Sequence, residues 1–181
     1  QETWEQQLPG IIAGKTREDL LNDHRLHLFE QLLPWWEAHA LDYDYGGFWC
    51  MIDNAGTVLD DRKELTCQGH ALWMYSYLYN HFGEDERHLE IARRTREFVL
   101  SHMQAEGDDW YGTVSREGAI KGEITTSVLP MLAFADGLAE YARASGDTED
   151  YSMVVDIIWA AIRKYDNPGY TGMPNNGGLG A

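Results

Sequence analysis

The chain has 181 residues, 44% of them hydrophobic and 12% aromatic, a composition that fits a globular domain with a sizeable core and not a disordered segment. A formal net charge of −16 argues against nucleic acid and against an anionic membrane surface as partners. Two cysteines, Cys50 and Cys67, are too few for a disulfide scaffold and lack zinc-type spacing, so both are read as buried thiols.

The first residues, QETWEQQLPG, are not a basic start followed by an apolar run, so no signal peptide is read; either a leader has been removed or the sequence is an excerpt, and a cytoplasmic location is the expectation. The first helix is expected from about Thr16 to His39. Thr16 is placed to cap it, and Glu18 and Asp19 lie in its first turn, where the helix dipole favours acids. Leu21, Leu28, Leu32 and Trp35 form one face, and Pro34 should kink the helix or shift its end. His24 and His27 lie three apart, but no acidic or thiol partner is spaced to complete a metal site.

Next comes DYDYGGFWCMIDNAGTVLDD. Phe48, Cys50 and Ile52 alternate with Trp49, Met51 and Asp53, and Asn54-Ala55-Gly56 supplies a turn, which reads as a short β-hairpin. Gly46 and Gly47, after Tyr45, mark a backbone that needs unusual dihedrals or close approach.

From Leu65 to Phe82 runs LTCQGHALWMYSYLYNHF, which at helical spacing has no polar face. Leu72, Tyr75, Tyr79 and Phe82 make one stripe, Ala71, Met74 and Leu78 another, and Trp73 and Tyr77 fill much of the rest. A helix apolar around its whole circumference is expected at the centre of a core. Gln68, His70, Asn80 and His81 inside it argue against a membrane span. Its first turn, Thr66-Cys67-Gln68-Gly69-His70, brings free backbone N–H groups and an imidazole to one helix end, which can hold an anion or a developing oxyanion.

A third helix, amphipathic, is expected from about Asp85 to Met103, with Arg93, Arg94, Arg96 and Glu97 facing water. After the turn-rich GDDWYGTVSREGAIKGE comes a second strongly apolar helix, from about Ser127 to Ala144, with Pro130 in its first turn. The fifth helix, from about Thr148 to Tyr165, carries Tyr151, Val154, Val155, Ile158 and Ile162 on one face.

The pieces repeat. Trp49–Gly56 precedes Tyr111–Gly118 by 62 positions, and the junction Gly83-Glu84-Asp85-Glu86 precedes Gly146-Asp147-Thr148-Glu149 by 63. A hairpin and helix pair of that length points to an all-α helical array in which each buried helix needs neighbours on both sides. Five helices cannot surround two buried ones, and the sequence stops in the glycine-rich NPGYTGMPNNGGLGA without an initiator Met at its start. The chain is therefore expected to be the first half of a longer folded unit, with Ala181 not its natural end.

The runs YGGFW, DNAG, QGHALWMYSYLYN and GLAEYARASGD resemble the N-acylglucosamine 2-epimerase family, which includes cellobiose 2-epimerases and some aldose–ketose isomerases. The resemblance spans about Leu33 to Gly146. It implies an (α/α)6 toroid of the six-hairpin type, present here as its N-terminal half, with the apolar helices as inner ones whose N-terminal ends lie at the mouth of a central funnel. It also implies proton transfer at C2 of a reducing sugar through an enediolate. That chemistry needs bases that titrate near neutrality, which imidazole supplies, and donors aimed at the enediolate oxygens. In most relatives an arginine near the start of the second helix is such a donor, with a tryptophan four residues earlier. The matching positions here are His70 and Thr66, and both depart from that pattern.

His70 is accordingly the catalytic candidate, and Thr66, Gln68, Trp49, Trp73 and Tyr45 are the substrate-binding candidates. His81, His88 and His102 are read as surface or junction residues. The chemistry requires no metal and no organic cofactor. The expected partner is a small-molecule sugar, without nucleic acid or membrane, and a homodimer is one assembly the resemblance allows. Two other classes compete: a six-hairpin glycosidase or lyase using Asp108 and Asp109, and a non-catalytic carbohydrate-binding toroid.

Overall fold

Thr16 starts the first helix through a reciprocal pair of hydrogen bonds. Its Oγ1 accepts from the Asp19 N–H at 3.1 Å, and the Asp19 carboxylate accepts from the Thr16 N–H at 3.0 Å. The structure, a computed structural model, describes residues 10–170 and divides the chain into two units, Gln1–Ala40 and Leu41–Ala181. In the first unit β1 (Ile11–Ile12) pairs antiparallel with β2 (Lys15–Thr16), and α1 (Arg17–His27) follows from the Thr16 cap.

The helix expected to His39 is present but interrupted. A π-helical stretch, Leu28–Leu32, leads into α2 (Leu33–His39), and the Leu33 N–H reaches back five residues to the Leu28 carbonyl. Pro34 supplies the reason: it has no N–H to donate, and its ring crowds the carbonyl four residues back, so the backbone widens just before it. The inward face expected through Leu21 does not hold within α1, which buries none of its residues and leaves Leu21 60% exposed.

The second unit begins with a tight loop. The Asp42 N–H donates to the Gly47 carbonyl at 3.0 Å, and the Gly46 N–H donates to the Asp42 carbonyl at 2.8 Å. Gly46 and Gly47 both have φ near +80°, at 81° and 74°. β3 (Met51–Ile52) then pairs antiparallel with β4 (Val58–Asp60), with a bulge in the register. The turn between them is held by Asp53 Oδ1, which accepts from the Ala55 and Thr57 N–H groups at 2.8 and 2.9 Å.

β5 (Lys63–Glu64) runs directly into α3 (Leu65–His81) and pairs with β6 (Thr113–Val114), which belongs to the second turn-rich segment. That segment also folds on itself, through bridges Tyr111 to Ile124 and Val114 to Lys121. α4 (Glu86–His102), α5 (Leu129–Ser145) and α6 (Thr148–Tyr165) complete the described elements. Asp85 and Asp147 cap α4 and α6 through their side chains, the two halves of the 62-residue repeat. Pro130 lies in the first turn of α5, and Gly146 closes that helix in the left-handed conformation.

α3 and α5 pack on each other, α4 backs α3, and α6 backs α5. The α3–α5 crossing is made at glycines. A Cβ on Gly69 would lie 2.6 Å from the Ala133 carbonyl, and one on Gly137 would lie 2.4 Å from the Gly69 carbonyl oxygen. Leu72, Tyr75, Met131, Phe134 and Leu138 fill the space around that crossing and are fully buried.

Four expectations are corrected here. α3 is not buried all round: Leu65, Gln68, Leu72 and Tyr75 are covered, whereas His70 and Trp73 are exposed, because α4 and α5 cover only part of its circumference. α6 turns Val154, Ile157, Ala160 and Ala161 inward and leaves Tyr151, Val155, Ile158 and Ile162 exposed, so its stripe is apolar on two sides and only one meets α5. Arg96 does not face water but reaches the fully buried Asp150 of α6, with Nε 2.9 Å from both carboxylate oxygens. His88 is buried against Tyr75 instead of lying at the surface. Among the described residues no helix is long and apolar enough to cross a membrane.

Candidate functional site

Helical spacing puts Thr66, His70, Trp73 and Tyr77 on one strip of α3, and this is the strip that its neighbours leave open. Thr66 is half-buried, His70 is exposed, and Trp73 is 37% exposed with its ring stacked on Tyr77 at a centroid distance of 4.8 Å. Among the described residues His70 forms no hydrogen bond and no ion pair, so both ring nitrogens are open to a ligand. No side chain caps the first turn of α3. The Leu65 N–H is taken by the Gly112 carbonyl at 3.0 Å, which fixes the second turn-rich segment against the same helix end. His70 lies one turn in from this end, on the open strip of the helix.

Gln68 points the other way. It is fully buried, its Oε1 accepts from the Phe48 N–H at 2.8 Å, and its Nε2 donates to the Phe48 carbonyl at 2.8 Å. Both ends of the amide thus hold one residue of the glycine loop, and a Cβ at Gly47 would strike Gln68 Oε1 at 2.6 Å. Close approach of the clamp is a second reason, besides its φ, for glycine at 47.

Tyr45 and Trp49 gather in a different cluster, around charges that sequence reasoning did not single out. The Lys63 ammonium, fully buried, donates to Asp42 Oδ2 at 2.9 Å and to the Gly46 carbonyl at 2.6 Å, and sits 4.1 Å from the Phe98 ring centroid. Arg116 reaches the same carboxylate from the second turn-rich segment, with Nε to Oδ2 and an Nη to Oδ1 each at 3.0 Å. Its guanidinium lies 5.1 Å from the Tyr45 ring and 4.9 Å from the Trp49 ring. Burial would raise the Asp42 pKa, but the hydrogen bonds from Arg116 and Lys63 hold it at about 2. Burial pushes the Lys63 ammonium down, against the pull of Asp42. The network joins the loop before β3, the start of α3 and the segment around β6.

Asp108 and Asp109 are each committed to α6. Asp108 pairs with Arg163 at 2.5 Å and Asp109 with Lys164 at 2.9 Å, an arrangement that gives neither carboxylate a role as paired acid and base. His81 lies against Arg143 and Glu140 at the far end of α3. His102 is tilted on Phe98 and held below the usual histidine range by burial and by Lys121 and Lys63. Among the described residues no three His, Cys, Asp or Glu side chains gather as a metal ion would require.

Comparison with known proteins matches residues 11–175 to the family described as N-acylglucosamine 2-epimerase (GlcNAc 2-epimerase). The chain is similar to the human N-acylglucosamine 2-epimerase, at 26% identity over 71% of this chain and 31% of that protein. It is also similar to the cellobiose 2-epimerase of Bacteroides fragilis, at 29% identity over 78% of this chain and 36% of that protein. Among solved structures, the cellobiose 2-epimerase from Spirochaeta thermophila superposes with a TM-score of 0.73 at 20% identity, covering 81% of this chain and 36% of that one. A sugar epimerase from a ruminal bacterium gives a TM-score of 0.70 at 20% identity, over 78% of this chain and 36% of that one. The fold is that of these (α/α)6 toroids, and the chain spans about a third of the length of the curated relatives it matches.

Proposed function

The chain belongs to the N-acylglucosamine 2-epimerase family, and on that premise we propose that it supplies part of the site of a sugar 2-epimerase or aldose–ketose isomerase. The substrate is a reducing sugar, opened to its aldehyde form and changed by proton transfer at C2. The proton leaves C2, the electrons pass into an enediolate, and return of a proton to the opposite face gives the 2-epimer. Return of a proton to C1 instead gives the isomer.

In this reading His70 meets the substrate at the oxygen that gains charge, as a hydrogen-bond donor, or at C2 as a base. Its ring nitrogens, without a partner among the described residues and on the open strip of α3, are the observation that carries the proposal. Histidine lacks the fixed charge and planar fork of the arginine usual at this position, so the contact is a single one. Thr66, one turn earlier on the same strip, offers a hydroxyl to a sugar oxygen. Trp73 offers a half-open aromatic face to the ring. Tyr45 and Trp49 bind more remotely, at the cluster organised by Arg116. Gln68 is a positioning residue, since its amide is committed to Phe48.

The test is incubation of the gene product carrying this chain with N-acetylglucosamine or cellobiose in heavy water, followed by proton NMR at C2. Deuterium at C2 that falls at least about tenfold in His70→Ala supports the assignment. Exchange that is unchanged in His70→Ala removes His70 from the site, and exchange that is absent altogether refutes the activity.

A further inference from the structure

The only two cysteines of the chain come from different segments, Cys50 from the loop before β3 and Cys67 from the first turn of α3, and Cys50 Sγ is held at the start of that helix. Both are free thiols and both are half-buried. Cys50 Sγ accepts a hydrogen bond from the Glu64 N–H at 3.2 Å and a second from Gln68 Nε2 at 3.4 Å. Glu64 is the residue that precedes α3, so this sulfur sits against the N-terminal end of the helix. Two N–H donors and the positive helix end both favour a thiolate over a thiol. Cys67 lies in the first turn of α3, between Glu64 and Gln68, the two residues whose N–H groups donate to Cys50 Sγ, so both thiols belong to one turn. The frame is rigid on both sides: Cys50 follows Phe48 by two residues, Cys67 adjoins Gln68, and Phe48 and Gln68 are locked by two hydrogen bonds.

We infer that Cys50 and Cys67 are a reversible redox pair, oxidised by hydroperoxides to an intrachain disulfide that closes beside Thr66 and His70. The division of labour follows from their surroundings. The Cys67 thiol, and then the Glu64 N–H and the Gln68 amide, hold Cys50 below the ordinary thiol range despite its burial. Cys67 is pushed up by the same hydrogen bond and by burial. Cys50 is therefore the attacking sulfur and Cys67 the resolving one.

With hydrogen peroxide the Cys50 thiolate attacks one oxygen, the O–O bond breaks, and the departing hydroxide takes up a proton as water, leaving Cys50 as a sulfenic acid. The Cys67 sulfur gives up its proton and attacks the Cys50 sulfur, the S–O bond breaks, and a second water leaves. Two thiols lose two electrons and two protons, and one peroxide becomes two waters. A dithiol reverses the reaction by exchange. The new bond ties the residue before β3 to the first turn of α3, one position from Thr66 and three from His70.

The test reads thiols and mass, not turnover, so it stands or falls apart from the sugar chemistry. The folded protein is treated with hydrogen peroxide, then denatured and alkylated with iodoacetamide, and its intact mass and peptides are measured. The expected result is joint loss of both alkylatable thiols, a peptide linking Cys50 to Cys67 within one chain, and full recovery with dithiothreitol. In Cys67→Ser, dimedone should label Cys50; in Cys50→Ser, oxidation of Cys67 should slow by roughly tenfold or more. Two thiols still alkylated, a link between separate chains, or a Cys67→Ser protein without a dimedone label would overturn the inference.

Discussion

At Lys63 a full positive charge is taken out of water, and its partners are few enough to name: Asp42, the Gly46 carbonyl and the rings of Phe98 and Trp49. Lys63→Met should leave the buried Asp42 carboxylate with Arg116 as its one cation, beside the Asp44 and Tyr45 N–H groups, and cost about 3 kcal/mol in a denaturant titration, since breaking a buried pair leaves a charge less compensated. The pH dependence has a definite sign. Asp42 is held at about 2 against an ordinary 3.8, so its contribution is fully present above pH 3.8 and is lost as pH falls toward 2. Arg116→Gln removes the strongest downward pull on Asp42, so acid unfolding should begin at higher pH in that variant, as followed by circular dichroism. His70 is the opposite kind of residue, exposed and without a partner among the described residues. His70→Ala should therefore change stability by no more than about 0.5 kcal/mol, which lets any loss of activity be read as chemistry.

At the scale of the element, the α3–α5 crossing depends on two missing side chains. Gly137→Ala would set a Cβ 2.4 Å from the Gly69 carbonyl oxygen and 3.1 Å from the Trp73 nitrogen, backbone atoms that can yield only if the helices part. A loss of about 1–3 kcal/mol is expected, typical of an overfilled core, and thermal unfolding measures it. The helices themselves were legible in the sequence. Asp85 and Asp147 announce the starts of α4 and α6, Pro130 sits in the first turn of α5, and Gly83 and Gly146 end the two apolar helices. Periodicity did not reveal which apolar side of α6 would meet α5, because a helix apolar on two sides fits either packing. Nor did it reveal the π-helical turn before Pro34, which is a local answer to a steric clash and leaves no periodic trace.

At the scale of the molecule, the 62-residue offset pointed to a helical array, since the hairpin and helix pair return with the same capping residues, and the family resemblance supplied the toroid. The candidate site was legible only in part. Helical spacing is compatible with one strip of Thr66, His70 and Trp73, but it was the family resemblance that singled out His70 and Thr66. The ion cluster does not, because Asp42 lies 21 residues from Lys63 and 74 from Arg116, and only the folded chain brings them together. The commitment of Gln68 to Phe48 was hidden for the same reason. What the account claims above all is that the open strip at the start of α3 takes part in proton transfer at C2 of a reducing sugar. The most direct measurement is deuterium uptake at C2 of N-acetylglucosamine or cellobiose in heavy water, compared between the native gene product and His70→Ala. The account predicts uptake in the native protein and at least about a tenfold loss in the variant; no uptake, or equal uptake in both, would contradict it.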